Sequence, residues 1–307
     1  MARVGAVITN PLPTGMELPD VPRLARLAES AGLDGIWAED GIASGDAAVL
    51  DITCVLAAAA AATEGIEVGS SIFAPSLRNL TWALKQVATL QLIAGGRLQL
   101  GVALGAAGEE EYRLAGLTRS GQRQRTDEFL RVLTAARRGE VYQTAVPLNQ
   151  SLSARALLLG TELPVPPLWV GGTSLAALRR AARFGDGWLS GLQTPAEFHA
   201  SSSRLRQLAD EEGRPCPLTG IVLHVAVGTG SSDVLATRSA AAMQSLYGVP
   251  AERAEELAVG GTPKKVADQL AHYLDAGAVQ FCLVSNVLPW AESWPMLAEV
   301  RQILLGG

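Results

Sequence analysis

Cysteine and histidine are scarce in this chain, three of each among 307 residues, and their placement removes whole classes of chemistry. Cys54, Cys216 and Cys282 are odd in number, far apart and without a Cys-x-x-Cys pair, so neither a disulfide framework nor a thiolate zinc site is encoded. His199, His224 and His272 show no close spacing, which leaves a histidine-built metal centre without support. No metal is expected. Long apolar runs are missing as well: the longest, Cys54 to Ala62, falls far short of the ~20 residues that span a bilayer. Met1 to Pro13 lacks a charged region followed by an apolar stretch and a cleavage site, so a cytoplasmic location and no membrane partner are expected. Excess positive charge is absent too. With 25 Lys and Arg scattered against 30 Asp and Glu, net charge −5, no surface is encoded that would neutralise the phosphates of a nucleic acid.

What the chain does have is apolar residues, 48% of the total, with only 18% charged, enough to bury a large core. Short apolar runs alternate with amphipathic stretches. The predicted strands are Arg3 to Thr9, Gly35 to Glu39, Ile66 to Ile72, Leu98 to Ala103, Leu168 to Gly171, Gly187 to Leu189, Ile221 to Val227 and Gln280 to Val284. Most are continuously apolar, as strands covered on both faces are. Apolar spacing of three and four predicts helices over Pro22 to Ala31, Asp51 to Ala62, Asn79 to Ile93, Thr126 to Arg138, Leu175 to Phe184, Pro195 to Glu212 and Pro263 to Ala276. A last one runs from Trp290 to Leu305. Gly32, Gly95-Gly96, Asp51 and Thr262-Pro263 stand where stops and caps belong. Eight alternating units fit a doubly wound sheet or a closed barrel. The turn after the first strand, Asn10 to Pro19, has three prolines and one glycine, and so lacks the dinucleotide fingerprint an open sheet would carry there. The expected fold is a single-domain α/β (β/α)8 barrel over residues 1–307. Gly139 to Pro167, without clear periodicity, is an insertion after the fourth strand and its helix: a flap over the mouth or an inert loop.

Leu168-Trp169-Val170-Gly171-Gly172-Thr173-Ser174 carries a strand into two glycines and two hydroxyl residues that open a helix. Glycines let a phosphate approach the backbone, Thr173 or Ser174 can cap the helix, and the helix N-terminus favours an anion by ~0.3–1 kcal/mol. An ordinary capped strand-to-helix turn needs the same residues. Phosphate sites of barrels usually follow strands seven and eight, so this position would be irregular.

The stretch Pro166-Pro167-Leu168-Trp169-Val170-Gly171-Gly172, followed by Arg179 to Phe184 and Gly185-Asp186-Gly187-Trp188, resembles the bacterial luciferase-like family of flavin and deazaflavin oxidoreductases. Ala31-Gly32-Leu33-Asp34-Gly35-Ile36-Trp37, then Gly95 to Val102, then Gly261-Thr262-Pro263 through Ala276-Gly277 fit the same pattern in order. The resemblance implies a barrel that binds FMN or its 5-deaza analogue, coenzyme F420, at the C-terminal mouth, and a homodimer. It sets the cofactor against Asp40, Ser71, Ile72, Gly105, Ala106, Gly171, Gly172, Thr173 and Ser174. It also implies a cis peptide between Ser71 and Ile72.

Two positions separate the cofactors. Where the luciferase branch has an arginine on the FMN phosphate, this chain has Leu104; where the F420 branch has an acid followed by histidine, it has Asp40 followed by Gly41. F420-dependent hydride transfer to a small organic substrate is therefore the expected activity. An FMN-dependent monooxygenase and, because of Gly41, a non-catalytic flavin-binding protein are the alternatives. Glycine offers no proton. Glu39 and Asp40 are the candidate catalytic acids, with Tyr112 as a further donor, since a carboxyl in an apolar pocket rises toward neutral pKa. Asp40 has a plainer reading, that it only fixes its loop. Arg113, Arg119, Arg123 and Arg125 either meet the acidic tail of F420 or are a solvated face. Of the tryptophans Trp37, Trp188, Trp290 and Trp294, Trp188 is the best placed to line a pocket, although aromatic residues are more often simply core.

Overall fold

The computed structural model describes residues 2–10, 12, 18–45, 47–105, 108–140, 164–285 and 287–306. Strands β1 (Arg3–Ile8), β2 (Gly35–Ala38), β3 (Glu67–Ser70), β4 (Leu98–Val102), β5 (Leu168–Gly171), β6 (Gly187–Gly191) and β7 (Leu218–Val227) pair in parallel with their sequence neighbours. A short β8 (Val259–Gly261) pairs only with the far end of β7, while β9 (Gln280–Val284) sits between β7 and β1 and closes the ring. The result is the expected eight-stranded parallel (β/α)8 barrel, with β8 outside it.

Two tryptophans fill the barrel's interior. Trp37 on β2 and Trp169 on β5 pack with Val7, Leu189, Cys282 and Val284. They fit because the facing strands carry glycine: a Cβ at Gly5 or Gly69 would strike the Trp37 indole, and one at Gly187 would strike Trp169. The outer layer is α1 (Val21–Ala31), α2 (Ile52–Ala62), α3 (Leu80–Ile93), α4 (Glu109–Leu114), α5 (Gln122–Arg137), α6 (Leu175–Phe184), α7 (Pro195–Glu211), α8 (Ser232–Tyr247), α9 (Ala251–Leu257), α10 (Pro263–Asp275) and α11 (Trp290–Leu305). Local chemistry sets their ends. The Asp51 carboxylate accepts from the N–H groups of Thr53 and Cys54 to start α2, and Gly32 at φ 89° closes α1.

The expected strands and helices all form, most of them within two residues of their predicted ends. The region from 228 to 262 holds three elements without a predicted counterpart, α8, α9 and β8. The buried stripe of α8 is Leu235, Ser239, Ala240 and Met243, mostly small residues that carry little periodic signal. β8 is Val-Gly-Gly, and a Cβ at Gly260 would run into the backbone of Ala236, so α8 crosses this strand at close range. Of the expected insertion over Gly139 to Pro167, residues 141–163 lie outside the described residues. Its described ends leave α5 and enter β5 at the N-terminal end of the barrel, opposite the mouth, tied by hydrogen bonds from Arg137 to Pro166 O and from Gln91 to Pro164 O. Among the described residues no helix is long and apolar enough to cross a membrane.

Candidate active site at the C-terminal mouth

The C-terminal ends of the strands surround a cavity of about 650 Å³. Sites in barrels of this kind form at this end because the βα loops converge there.

On one side, β5 runs through Gly171 and Gly172 into α6. Gly172 has φ 110°, a conformation that side-chain-bearing residues avoid, and its backbone is held at both ends: its N–H donates to Leu189 O at 3.3 Å and its carbonyl accepts from the Trp188 indole at 2.7 Å. Ser174 is the N-cap, its hydroxyl accepting from Ala177 N at 3.2 Å. The N–H groups of the first turn before Ala177 keep their donors for an incoming anion. Trp188 therefore does not line the pocket and takes the core place that was its plainer reading. It is buried, stacks on Phe198 with centroids 5.4 Å apart, and serves the site by pinning the turn.

Between the walls lies the end of β3. The Ser71–Ile72 peptide is cis, as the resemblance implied. Ile72 meets β5 closely: a Cβ at Gly171 would stand 3.0 Å from Ile72 Cγ2. Ser71 Oγ is buried at the cavity wall with no hydrogen-bond partner among the described residues, and Ser71 N–H is held by Ala38 O at 2.8 Å. Leu104 and Gly105 line the cavity beyond β4, and Ala106 lies outside the described residues.

The two expected acids part company. Asp40 gives both carboxylate oxygens to Arg78, at 2.6 and 2.8 Å, and Oδ2 accepts a further bond from Ala74 N at 2.9 Å. Burial raises its pKa, and the Arg78 guanidinium works against that rise. These three bonds commit both of its oxygens to fixing the loop before α3. Glu39 is placed otherwise. Its Oε2 accepts from Asn10 N at 3.1 Å and from the Tyr247 hydroxyl at 3.0 Å, and among the described residues Oε1 has no partner. Burial pushes the Glu39 carboxyl up to about 7, with the bonds from Asn10 and Tyr247 opposing. Asn10 also ties its loop to Glu39 O and Leu50 O, which fixes the approach of that backbone.

Tyr112 is not a donor at the mouth. It is fully buried, its hydroxyl bonded to Ser76 and Gln122 at 2.9 Å each, and Arg125 lies over its ring while donating to Ser76 O and Thr118 O. Of the four expected arginines only Arg123 lines the cavity, exposed and without an ion pair among the described residues. Three lining residues had no place in the sequence reading: Arg180 on α6, paired with Asp127 at 2.6 Å, His224 on β7 and Tyr247 at the end of α8. Arg180 had a signal, being less than two turns past a predicted anion site. The other two had none, since Tyr247 meets Glu39 across 208 positions and His224 joins them only through the Tyr247 ring.

A closed parallel barrel with a deep cavity where the strand ends converge is the architecture of a (β/α)8 enzyme. The chain belongs to the luciferase-like monooxygenase family, whose model matches residues 3–249. An uncharacterised protein of Mycobacterium tuberculosis is 29% identical over 213 residues, 63% of this chain and 73% of its own. Among solved structures, an F420-dependent secondary alcohol dehydrogenase in complex with an F420-acetone adduct superposes with TM-score 0.81 at 17% identity, covering 99% of both chains. A monooxygenase from Streptomyces bottropensis gives 0.80 at 18% identity over 99% of both. The oxygenating constituent of 3,6-diketocamphane monooxygenase from Pseudomonas putida, in complex with FMN, gives 0.74 at 16% over 97% of both.

Proposed function

We propose that the chain is an F420-dependent oxidoreductase that moves a hydride between the deazaflavin and a small organic substrate. The observation that carries this reading is the loop after β4, where an apolar residue, Leu104, lines the cavity. FMN ends in a phosphate dianion that calls for a cation, while F420 continues through a phosphodiester into an acidic tail.

The residues present fit such a group. Gly171 and Gly172 present bare backbone at the cavity wall where a Cβ would crowd Ile72 and Ala177, and the buried Ser71 hydroxyl there has no partner among the described residues. Backbone N–H groups of Thr173, Ser174, Leu175 and Ala176 would hold the phosphate, with Arg123 available to the acidic tail. Leu189, Val222 and Ile72 would cover the ring and keep water from it. When bound, the deazaflavin supplies a carbon that gives or takes a hydride. The chain's own work is binding, orientation, exclusion of water and, at Glu39 Oε1, holding a proton.

One observation favours an FMN-dependent monooxygenase: Arg180, although paired with Asp127, lines the cavity on the same helix less than two turns past Ser174, a cation that a terminal phosphate could use. The experiment follows F420 absorbance under anaerobic conditions against a set of small alcohols and ketones, beside oxygen uptake with reduced FMN. Substrate-dependent change in the F420 spectrum is expected. Substrate-dependent oxygen uptake with FMN, and none of that spectral change, would reverse the choice.

A further inference from the structure

Three ionisable side chains from distant parts of the chain meet on the arc of the mouth running from β7 through β9 and β1 to β2. Glu39 ends β2, His224 lies near the end of β7, and Tyr247 closes α8. The Tyr247 hydroxyl bonds Glu39 Oε2 at 3.0 Å, and its ring lies against the His224 imidazole with centroids 4.7 Å apart at 59°. All three line the cavity. Glu39 Oε1 and the His224 ring nitrogens have no hydrogen-bond partner among the described residues.

The remaining charged groups of this wall are occupied or distant from Oε1. Asp40 is locked to Arg78, Glu111 accepts from Ile42 N and Gly108 N, Asp51 caps α2, and Arg180 holds Asp127. Arg123 is exposed on α5, across the mouth. The site thus presents an uncharged imidazole and a carboxyl with one open oxygen, backed by a phenol. Such a surface matches a substrate whose reacting end is an uncharged oxygen function.

We propose that Glu39, Tyr247 and His224 form one acid–base unit, in which Glu39 Oε1 exchanges a proton with the oxygen of a bound carbonyl or hydroxyl group and His224 hydrogen-bonds the same oxygen. Tyr247 is the positioning residue, touching both partners. The proton half stands on this geometry; the redox half rests on the hydride-transfer reading above. In the reducing direction a bound reduced deazaflavin would supply the hydride, and with it two electrons, to the carbonyl carbon, while the oxygen would take the Glu39 proton. The product is the alcohol, and the Glu39 carboxylate recovers a proton from water. Oxidation runs the same steps in reverse. Burial pushes Glu39 up to about 7 and His224 down to about 4, so near neutral pH the carboxyl is the group that titrates and the imidazole reports on it.

The test needs no cofactor. In the full chain with isotope-labelled histidine, the His224 ring signals are followed by NMR against pH; His199 and His272 are exposed and give reference signals. The His224 signals are expected to move with a midpoint of about 7, set by Glu39. Glu39→Gln should abolish that step, and Tyr247→Phe, which removes a bond favouring the carboxylate, should shift it up by roughly half to one pH unit. Cyclohexanone, used as a carbonyl probe, should perturb the His224 signals of the parent but not of Glu39→Gln. An unchanged His224 step in Glu39→Gln, a Tyr247→Phe midpoint equal to the parent's, or no response to cyclohexanone at any pH would overturn the unit. If the coupling is present while F420 supports no turnover, the hydride-transfer reading fails and the acid–base unit stands.

Discussion

The two sides of the cavity are made by different means. At the β5–α6 side, chemistry comes from the backbone of a few consecutive residues, Gly171 to Ala176, and side chains serve to fix it: Trp188 holds Gly172 O and Ser174 caps the helix. At the β2–β7 side, chemistry comes from side chains at positions 39, 224 and 247, and the backbone only delivers them. A backbone cradle tolerates most exchanges of its exposed side chains and is broken by charge. A side-chain cluster is insensitive to neighbouring charge at a distance and is broken by single conservative changes.

The largest effect expected is on the side-chain wall's foundation. Arg78→Ala leaves Asp40 buried without its cation, and removal of one partner from a buried pair costs about 3–5 kcal/mol. Thermal or denaturant unfolding measures it; a loss below 1 kcal/mol would mean that Asp40 is not held by this pair and is free to act. At the backbone wall, Ala176→Asp sets a carboxylate at the exposed first turn of α6. It should weaken F420 binding by roughly a hundredfold while unfolding is unchanged or slightly later, since a carboxylate suits a helix N-terminus. Gly172→Asp is a poorer probe, because φ 110° and a Cβ 3.0 Å from Ala177 Cβ would distort the turn itself. Unaltered binding in Ala176→Asp would remove the phosphate from this turn. Trp188→Phe keeps the packing on Phe198 and loses the bond to Gly172 O, worth about 1 kcal/mol, so F420 affinity should fall several-fold. An affinity equal to the parent's would show that the turn needs no pin.

The smallest effect concerns pH. Glu39, at about 7 when folded against an ordinary 4.5, contributes stability that is complete below pH 4.5 and is lost as pH rises to 7. His224, at about 4 against 6.5, contributes in the opposite sense, lost as pH falls from 6.5 to 4. Between pH 4.5 and 6.5 the two offset each other. Glu39→Gln should expose the histidine slope, stability rising by at most about 1.4 kcal/mol per pH unit, and His224→Asn should expose the opposite one. Denaturant midpoints at several pH values decide; parallel profiles in the parent and both variants would rule out the linkage.

The same contrast explains what the sequence could say. The barrel was legible because buried parallel strands are continuous apolar runs and their helices carry caps at fixed offsets, as at Asp51 and Thr262. The strand-to-helix turn from Gly171 to Ser174 and its cap were legible because they are local. Glu39 was nameable as an acid, but nothing near it in sequence told it apart from Asp40; that difference is made by Arg78, Ala74 and Tyr247. Tyr247 gains meaning only from its bond to Glu39 across 208 positions, and His224 only from its ring contact with Tyr247. Trp188 and Tyr112 were placed on the right elements and on the wrong side of them, since a strand or helix pattern gives a face and not a partner.

The measurement closest to the central claim is a parallel titration of the purified chain with oxidised F420 and with FMN. The apolar Leu104 loop and Arg123, which has no ion pair among the described residues, lead to a lower dissociation constant for F420. Tighter binding of FMN, or FMN retained at full occupancy through purification, would contradict the assignment and make Arg180 the phosphate's partner.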